Sequence, residues 1–219
     1  MVVSQPIIMG VLNITPDSFS DGGLFFDSKS AITQAEVMVK EGAGIIDIGG
    51  ESTRPGALEV SIEDELNRVI PVIEALSSNI DVPISIDTSK PIVMEKAFNA
   101  GASIINDVNA LRSEGALKMA ASLQADVCLM HMQGSPRTMQ KNPTYDNVVS
   151  DVKVFFEQRI EACKSAGIKL NAITLDPGFG FGKNLGHNIA LLKNLSEFRE
   201  FGVSILAGLS RKSMIGSLL

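Results

Sequence analysis

Seven short apolar runs in this chain each end in a knot of polar residues. Val11-Leu12 leads into Asn13-Ile14-Thr15-Pro16-Asp17-Ser18, and Ile45-Ile46-Asp47-Ile48 into Gly49-Gly50-Glu51-Ser52-Thr53-Arg54-Pro55-Gly56. Ile84-Ser85-Ile86 ends at Asp87, Ile104-Ile105 at Asn106-Asp107, and Cys128-Leu129-Met130 at His131. Ile173-Thr174-Leu175 ends at Asp176, and Leu206-Ala207 lies just before Ser210-Arg211-Lys212. Runs that are continuously apolar, rather than alternating, are strands covered on both faces, as in parallel sheets with crossover helices. Polar residues at the end of strand after strand mean that C-terminal strand ends supply a shared site.

The spacing predicts strands at 7–12, 45–48, 83–86, 103–105, 126–130, 172–175 and 203–207, with helices between them. A helix over 61–78 starts at Ser61, with Asp64 three residues later in a capping-box pattern, and carries Ile62, Leu66, Val69, Ile73 and Leu76 at helical spacing. Pro91 suits the first turn of a helix that stops at Gly101. Residues 146–166 carry Val149, Val152, Phe156, Ile160 and Cys163, with Gly167 as the stop, and 188–200 carry Ile189, Leu192, Leu195 and Phe198. Seven βα units in one α/β domain over 1–219 point to a (β/α)8 TIM barrel lacking its last βα unit in this sequence. That reading places an eighth strand and a final helix beyond Leu219. An open doubly wound sheet is the alternative, and it would gather its polar residues at one switch point.

Composition narrows the partners. The chain is 45% hydrophobic with a net charge of −6, one Tyr and no Trp, which argues against a nucleic-acid surface. Cys128 and Cys163 lie in apolar runs and read as buried free thiols of a reducing cytoplasm. The N-terminus lacks a signal-peptide layout, and no apolar stretch is long enough to cross a membrane.

Asp87, Asn106 and Asp176 end the third, fourth and sixth predicted strands. Two carboxylates and an amide suit a flat heterocycle with adjacent N–H donors, because a carboxylate accepts a bidentate pair. Asp87 alone, ahead of Pro91, also fits a helix N-cap. Lys212 falls at a predicted helix start, where the helix dipole disfavours a cation, so a role in the site is the better account. The loop 49–56 and the long polar stretch 13–23 look like anion-wrapping or lid segments. Gly178-Phe179-Gly180-Phe181-Gly182-Lys183 lacks Walker spacing, and its two aromatics are expected to wall a pocket for a flat ligand. His131 and His187 have no metal-site spacing, so a zinc site is not expected.

Taken together, these motifs resemble one family. Gly10 to Gly22 is similar to the first signature of the dihydropteroate synthases, and Asp47 to Gly56 to the second. Ile86-Asp87-Thr88, Asn106-Asp107, Met130-His131-Met132, Asp176 to Phe181 and Ser210-Arg211-Lys212-Ser213 follow in that family's order. The resemblance covers the whole chain. It implies a barrel that joins 6-hydroxymethyl-7,8-dihydropterin pyrophosphate to p-aminobenzoate, giving dihydropteroate and pyrophosphate. It further implies that Asp87, Asn106, Asp176 and Lys212 hold the pterin, with Met130 packed in its pocket. Asn13 would meet the pyrophosphate and its Mg2+. Thr53, Arg54, Pro55, Phe181 and Ser213 would form the p-aminobenzoate site, with Asp17 closing over it. Asp87, Lys212 and Asp17 would be the catalytic group. The family's Arg-x-His on strand 8 would lie beyond Leu219, and a cytoplasmic homodimer is implied. Two other readings have different requirements. A pterin-binding methyltransferase barrel needs no pyrophosphate loop, which the first two signatures supply. A non-catalytic partner subunit needs none of Asn13, Arg54, Asp176 or Lys212.

Overall fold

A computed structural model describes residues 5–14, 28–53, 56–135, 138–210 and 212. The chain forms two compact units, one from residues 1–52 and 59–106 and the other from 53–58 and 107–219. The first carries β1 (Met9–Asn13), α1 (Ser28–Lys40), β2 (Ile45–Gly49), α2 (Ile62–Ser77), β3 (Ile84–Asp87) and α3 (Pro91–Ala100), followed by β4 (Ile104–Asp107) at the boundary. The second carries α4 (Ala116–Ser122), β5 (Asp126–Met130), α5 (Val148–Ser165), β6 (Ile173–Asp176), α6 (Leu185–Lys193) and β7 (Ser204–Ile205). Short 3₁₀ turns at Leu170–Ala172 and Leu195–Phe201 lead into β6 and β7.

The strands are parallel and paired in chain order, β1 to β2 to β3 to β4 and β5 to β6 to β7. Each predicted strand exists. β7 has two residues rather than the expected five, although Leu206 N–H still donates to the Leu175 carbonyl at 2.9 Å. The first unit's core packs Leu12, Ile46, Ile48, Ile84, Ile86 and Ile105 of the strands with Val69, Ile73 and Leu76 of α2. In the second unit, Phe156 of α5 meets the Phe198 ring edge-on at 5.8 Å. Burial of such side chains contributes about 1.5–3 kcal/mol each.

The helices show where pattern ends and packing begins. α2 runs through Pro71 because one buried face spans the break, at the loss of one ladder hydrogen bond. Ser61 caps it by accepting from Asp64 N–H at 3.0 Å, and the Ser61 hydroxyl donates to Asp64 Oδ2 at 2.7 Å. Asp64 thus engages the hydroxyl rather than the Ser61 N–H of a full capping box. The predicted helix 188–200 is α6 followed by a 3₁₀ turn. Asn194 parts them, its Nδ2 donating to the Ala190 carbonyl at 2.8 Å. Two helices fall outside the sequence expectations. α1 buries Ala31 and Ala35, and α4 buries Ala116 and Ala120, so alanines rather than large side chains mark their inner faces.

Candidate active site

In the first unit, strand register sets the site. Asn13 of β1 pairs with Gly49 of β2, Gly49 with Asp87 of β3, and Asp87 with Asn106 of β4. These four strand-end residues form one lateral row. A Cβ on Gly49 would lie 3.5 Å from both Asn13 Oδ1 and Asp87 Oδ2, so the glycine leaves an opening in the row between two oxygen-bearing side chains. Asp87 is not the cap of α3. The cap position is Lys90, without a side-chain capping bond, and Thr88 Oγ1 accepts from Lys90 N–H at 3.2 Å.

One strand level below lies Asp47, a buried carboxyl between Ile46 and Ile48. Its Oδ2 accepts from Asn106 Nδ2 at 3.0 Å. Burial holds this carboxyl above its ordinary range, against the pull of the Ser85 hydroxyl and the Asn106 amide. Sequence reading gave Asp47 no role. Its signal was a lone charge inside an apolar strand, which must find a partner when buried.

In the second unit, Asp176 of β6 pairs in register with Met130 of β5, again at the strand ends. Asp176 Oδ1 accepts from Gly178 N–H at 2.8 Å. Burial pushes the Asp176 carboxyl up to about 6, opposed by the Gly178 N–H, Lys183 and Lys212. Lys212 Nζ stands 4.3 Å from the Phe181 ring centroid, a cation–π contact. Burial lowers the Lys212 ammonium, and Asp176 opposes that shift. Phe181 packs against the cluster of Met130, Met132 and Met139. The structure thus brings together Met130, Phe181 and Lys212, and couples Lys212 electrostatically to Asp176.

The glycine-rich loop after β6 differs from expectation. Phe179 is 1% exposed and belongs to the core, so of the two aromatics expected to wall a pocket, Phe179 cannot serve and Phe181 is only partly buried. Lys183 is the loop's internal anchor. Its buried Nζ donates to the carbonyls of His131 at 3.1 Å, Gly178 at 2.9 Å and Phe181 at 2.8 Å. Burial draws this ammonium down to about 7. Gly178 has φ of +70° and its missing Cβ would fall 2.1 Å from the His131 carbonyl oxygen, so only glycine fits there.

The buried His131 meets the Phe155 ring edge-on at 4.9 Å, and burial holds it neutral with a pKa lowered to about 2. His187 meets the Tyr145 ring edge-on at 4.8 Å, and the same ring lies 6.0 Å from His131, so Tyr145 stands against both histidines. Among the described residues, no three His, Cys, Asp or Glu side chains cluster as a metal site, and no helix is long and apolar enough to cross a membrane. Thr53 is half-buried. Asp17, Arg54, Pro55 and Ser213 lie outside the described residues.

Each unit thus presents polar groups at its strand ends, Asp87 beside Asn106 in the first and Asp176 with the partly desolvated Lys212 in the second. The chain belongs to the pterin binding enzymes, a family that matches residues 9–219. Within that class it belongs to the dihydropteroate synthases, which are transferases. It is 57% identical to the dihydropteroate synthase of Haemophilus influenzae over 99% of this chain and 79% of that protein. The crystal structure of the Yersinia pestis dihydropteroate synthase with a sulfonamide drug complex matches with a TM-score of 0.92 at 54% identity, covering 97% of this chain and 78% of that one. The Xanthomonas albilineans dihydropteroate synthase with 4-aminobenzoic acid gives 0.92 at 50% identity, covering 98% and 76%. The fold class is therefore the α/β TIM barrel expected from the sequence.

Proposed function

We propose that this chain condenses 6-hydroxymethyl-7,8-dihydropterin pyrophosphate with p-aminobenzoate, releasing pyrophosphate and forming 7,8-dihydropteroate for folate biosynthesis. The observation that carries this reading is the strand-end row of Asn13, Gly49, Asp87 and Asn106. Asp176 takes the adjacent N–H donors of the pterin ring, because an ionised carboxylate is an acceptor-only group that suits a bidentate donor pair. Asp87, Asn106 and Lys212 make the remaining polar contacts, and Met130 covers an apolar edge.

The reaction breaks the bond between the pterin methylene carbon and its pyrophosphate oxygen and forms one to the aniline nitrogen, which then loses a proton. Departure of pyrophosphate leaves positive charge spread over the pterin. Carboxylates at Asp87 and Asp176, fixed before the reaction, stabilise that charge without reorganising. Asn13 offers one neutral oxygen at an exposed strand end. This fits a magnesium ion that keeps several waters and takes its other ligands from substrate phosphates. When bound, that ion would neutralise the leaving group. Thr53, Arg54, Pro55, Phe181 and Ser213 form the p-aminobenzoate site, and Asp17 closes over it. The protein works in the cytoplasm as a homodimer, and residues 1–219 belong to one pterin-binding domain.

The test supplies both substrates and magnesium and follows dihydropteroate and pyrophosphate together. Equal amounts of the two products are expected. Absence of product, with tight binding of labelled methyltetrahydrofolate instead, would overturn the reading in favour of a methyltransferase barrel.

A further inference from the structure

We propose that Glu51, gripped by Lys90, is a clasp that joins residue 51 to residue 60 and so positions Thr53 for p-aminobenzoate; this rests on the reading that Thr53 contacts that substrate. Both ends of the loop meet at one carboxylate. Glu51 Oε2 pairs with Lys90 Nζ at 2.5 Å, and Glu51 Oε1 accepts from the backbone N–H of Val60 at 3.4 Å. Val60 directly precedes Ser61, the cap of α2, so Glu51 ties the loop's start to its end.

The root is fixed to α2 as well. The Gly50 carbonyl accepts from Arg68 Nη1 at 2.8 Å. A Cβ on Gly50 would come within 2.9 Å of Val69 Cγ1 and 3.0 Å of Glu65 Cγ, so the backbone lies directly on the helix. Lys90 in turn forms a second ion pair, with Glu65 of α2. Glu65 is fully buried and its Oε1 makes no hydrogen bond. Burial opposes the Lys90 charge, but the two carboxylates outweigh it and raise its pKa. The lysine therefore stays cationic and holds Glu51 in one place.

A fully buried carboxylate with an unfilled acceptor is a poor stabilising device, because a buried ion pair often breaks even against apolar residues of the same shape. Its use is geometric. Two acidic groups, one on a helix and one at a loop root, share a single lysine, so the backbone at Glu51 follows the packing of α2 and α3. Lys90 and Glu65 are thus positioning residues, acting on substrate through Glu51 and the loop.

The decisive variant is Lys90→Met with Glu65→Leu, made in the native protein. Lys90→Met alone leaves Glu65 without its partner in the core, and can unfold the chain; the double change removes both polar groups. Hydrogen exchange at Val60 is expected to speed up about tenfold, since its acceptor is no longer held. The KM for p-aminobenzoate is expected to rise about tenfold while the pterin KM stays within about twofold. Lys90→Arg, with Glu65 kept, should restore both values. Unchanged Val60 exchange in the folded double variant overturns the clasp. Faster exchange with an unchanged p-aminobenzoate KM overturns the positioning role. Failure of the functional reading itself shows separately, as absent turnover in the unaltered protein, and takes this proposal with it.

Discussion

The Asn106 side-chain amide donates to the Asp47 carboxylate at 3.0 Å. This bond commits the Asn106 nitrogen and leaves its oxygen facing elsewhere as an acceptor. Asp47→Ala frees the amide to rotate. Pterin affinity is expected to fall about tenfold, roughly 1.4 kcal/mol, the worth of one misplaced hydrogen bond. Calorimetric titration of the folded variant checks this, and an unaltered affinity would remove Asp47 from the site's design.

Asp176→Asn is expected to cripple pterin binding. An amide keeps one acceptor but presents a donor where the ligand also has one, a loss of about 1.5–3 kcal/mol for a charge-assisted bond. A pH profile follows from the same group. Its folded pKa is raised to about 6 by burial, above the ordinary carboxylate value of 3.8. Across that window the native state binds more protons than the unfolded chain, so Asp176's contribution to ligand-free stability is lost as pH rises. In the proposed site, pterin binding uses the Asp176 anion and gains over the same window. The pterin Kd should therefore weaken as pH drops below about 6. A flat Kd between pH 5 and pH 8, measured by titration, contradicts the assignment.

Lys183→Met should destabilise the second unit without touching substrate directly. The substitution leaves the carbonyls of His131, Gly178 and Phe181 without their shared donor. The Gly178 carbonyl keeps the Phe181 N–H as a donor at 3.0 Å and the Phe181 carbonyl is only partly buried, so the buried His131 carbonyl bears most of the loss, about 1–3 kcal/mol in urea unfolding. A variant as stable as the parent would show that Lys183 is not the loop's anchor.

Chelation of divalent ions should abolish product formation and leave pterin binding largely intact. The motivation is a highly charged leaving group in a chain of net charge −6. Full turnover in excess chelator would refute the magnesium requirement.

Sulfonamides are expected to compete with p-aminobenzoate and not with the pterin substrate. They present an aniline with a polar para group, the chemistry proposed for the site at Thr53, Arg54, Pro55, Phe181 and Ser213. Inhibition kinetics against each substrate in turn decide it, and competition with the pterin would merge the two subsites.

The sequence by itself determined the alternation of parallel strands with helices and the polar residues at strand ends. Both are local signals, carried by apolar runs of a few residues and by the helical spacing of side chains such as Val69, Ile73 and Leu76. It also supplied Asn13, Asp87, Asn106 and Asp176, because each directly follows or ends such a run. Tertiary structure alone decided how these groups are held. Lys90 reaches Glu51 across 39 residues of sequence and Glu65 across 25, and Asn106 reaches Asp47 across 59. Lys183 lies at the end of the glycine-rich loop after β6, yet its charge is spent on carbonyls, one of them 52 residues away. Short-range periodicity reports which face of an element is buried. The partner that satisfies a buried charge is fixed only when strands and helices pack, since hydrogen bonds and ion pairs depend on distances in space rather than along the chain.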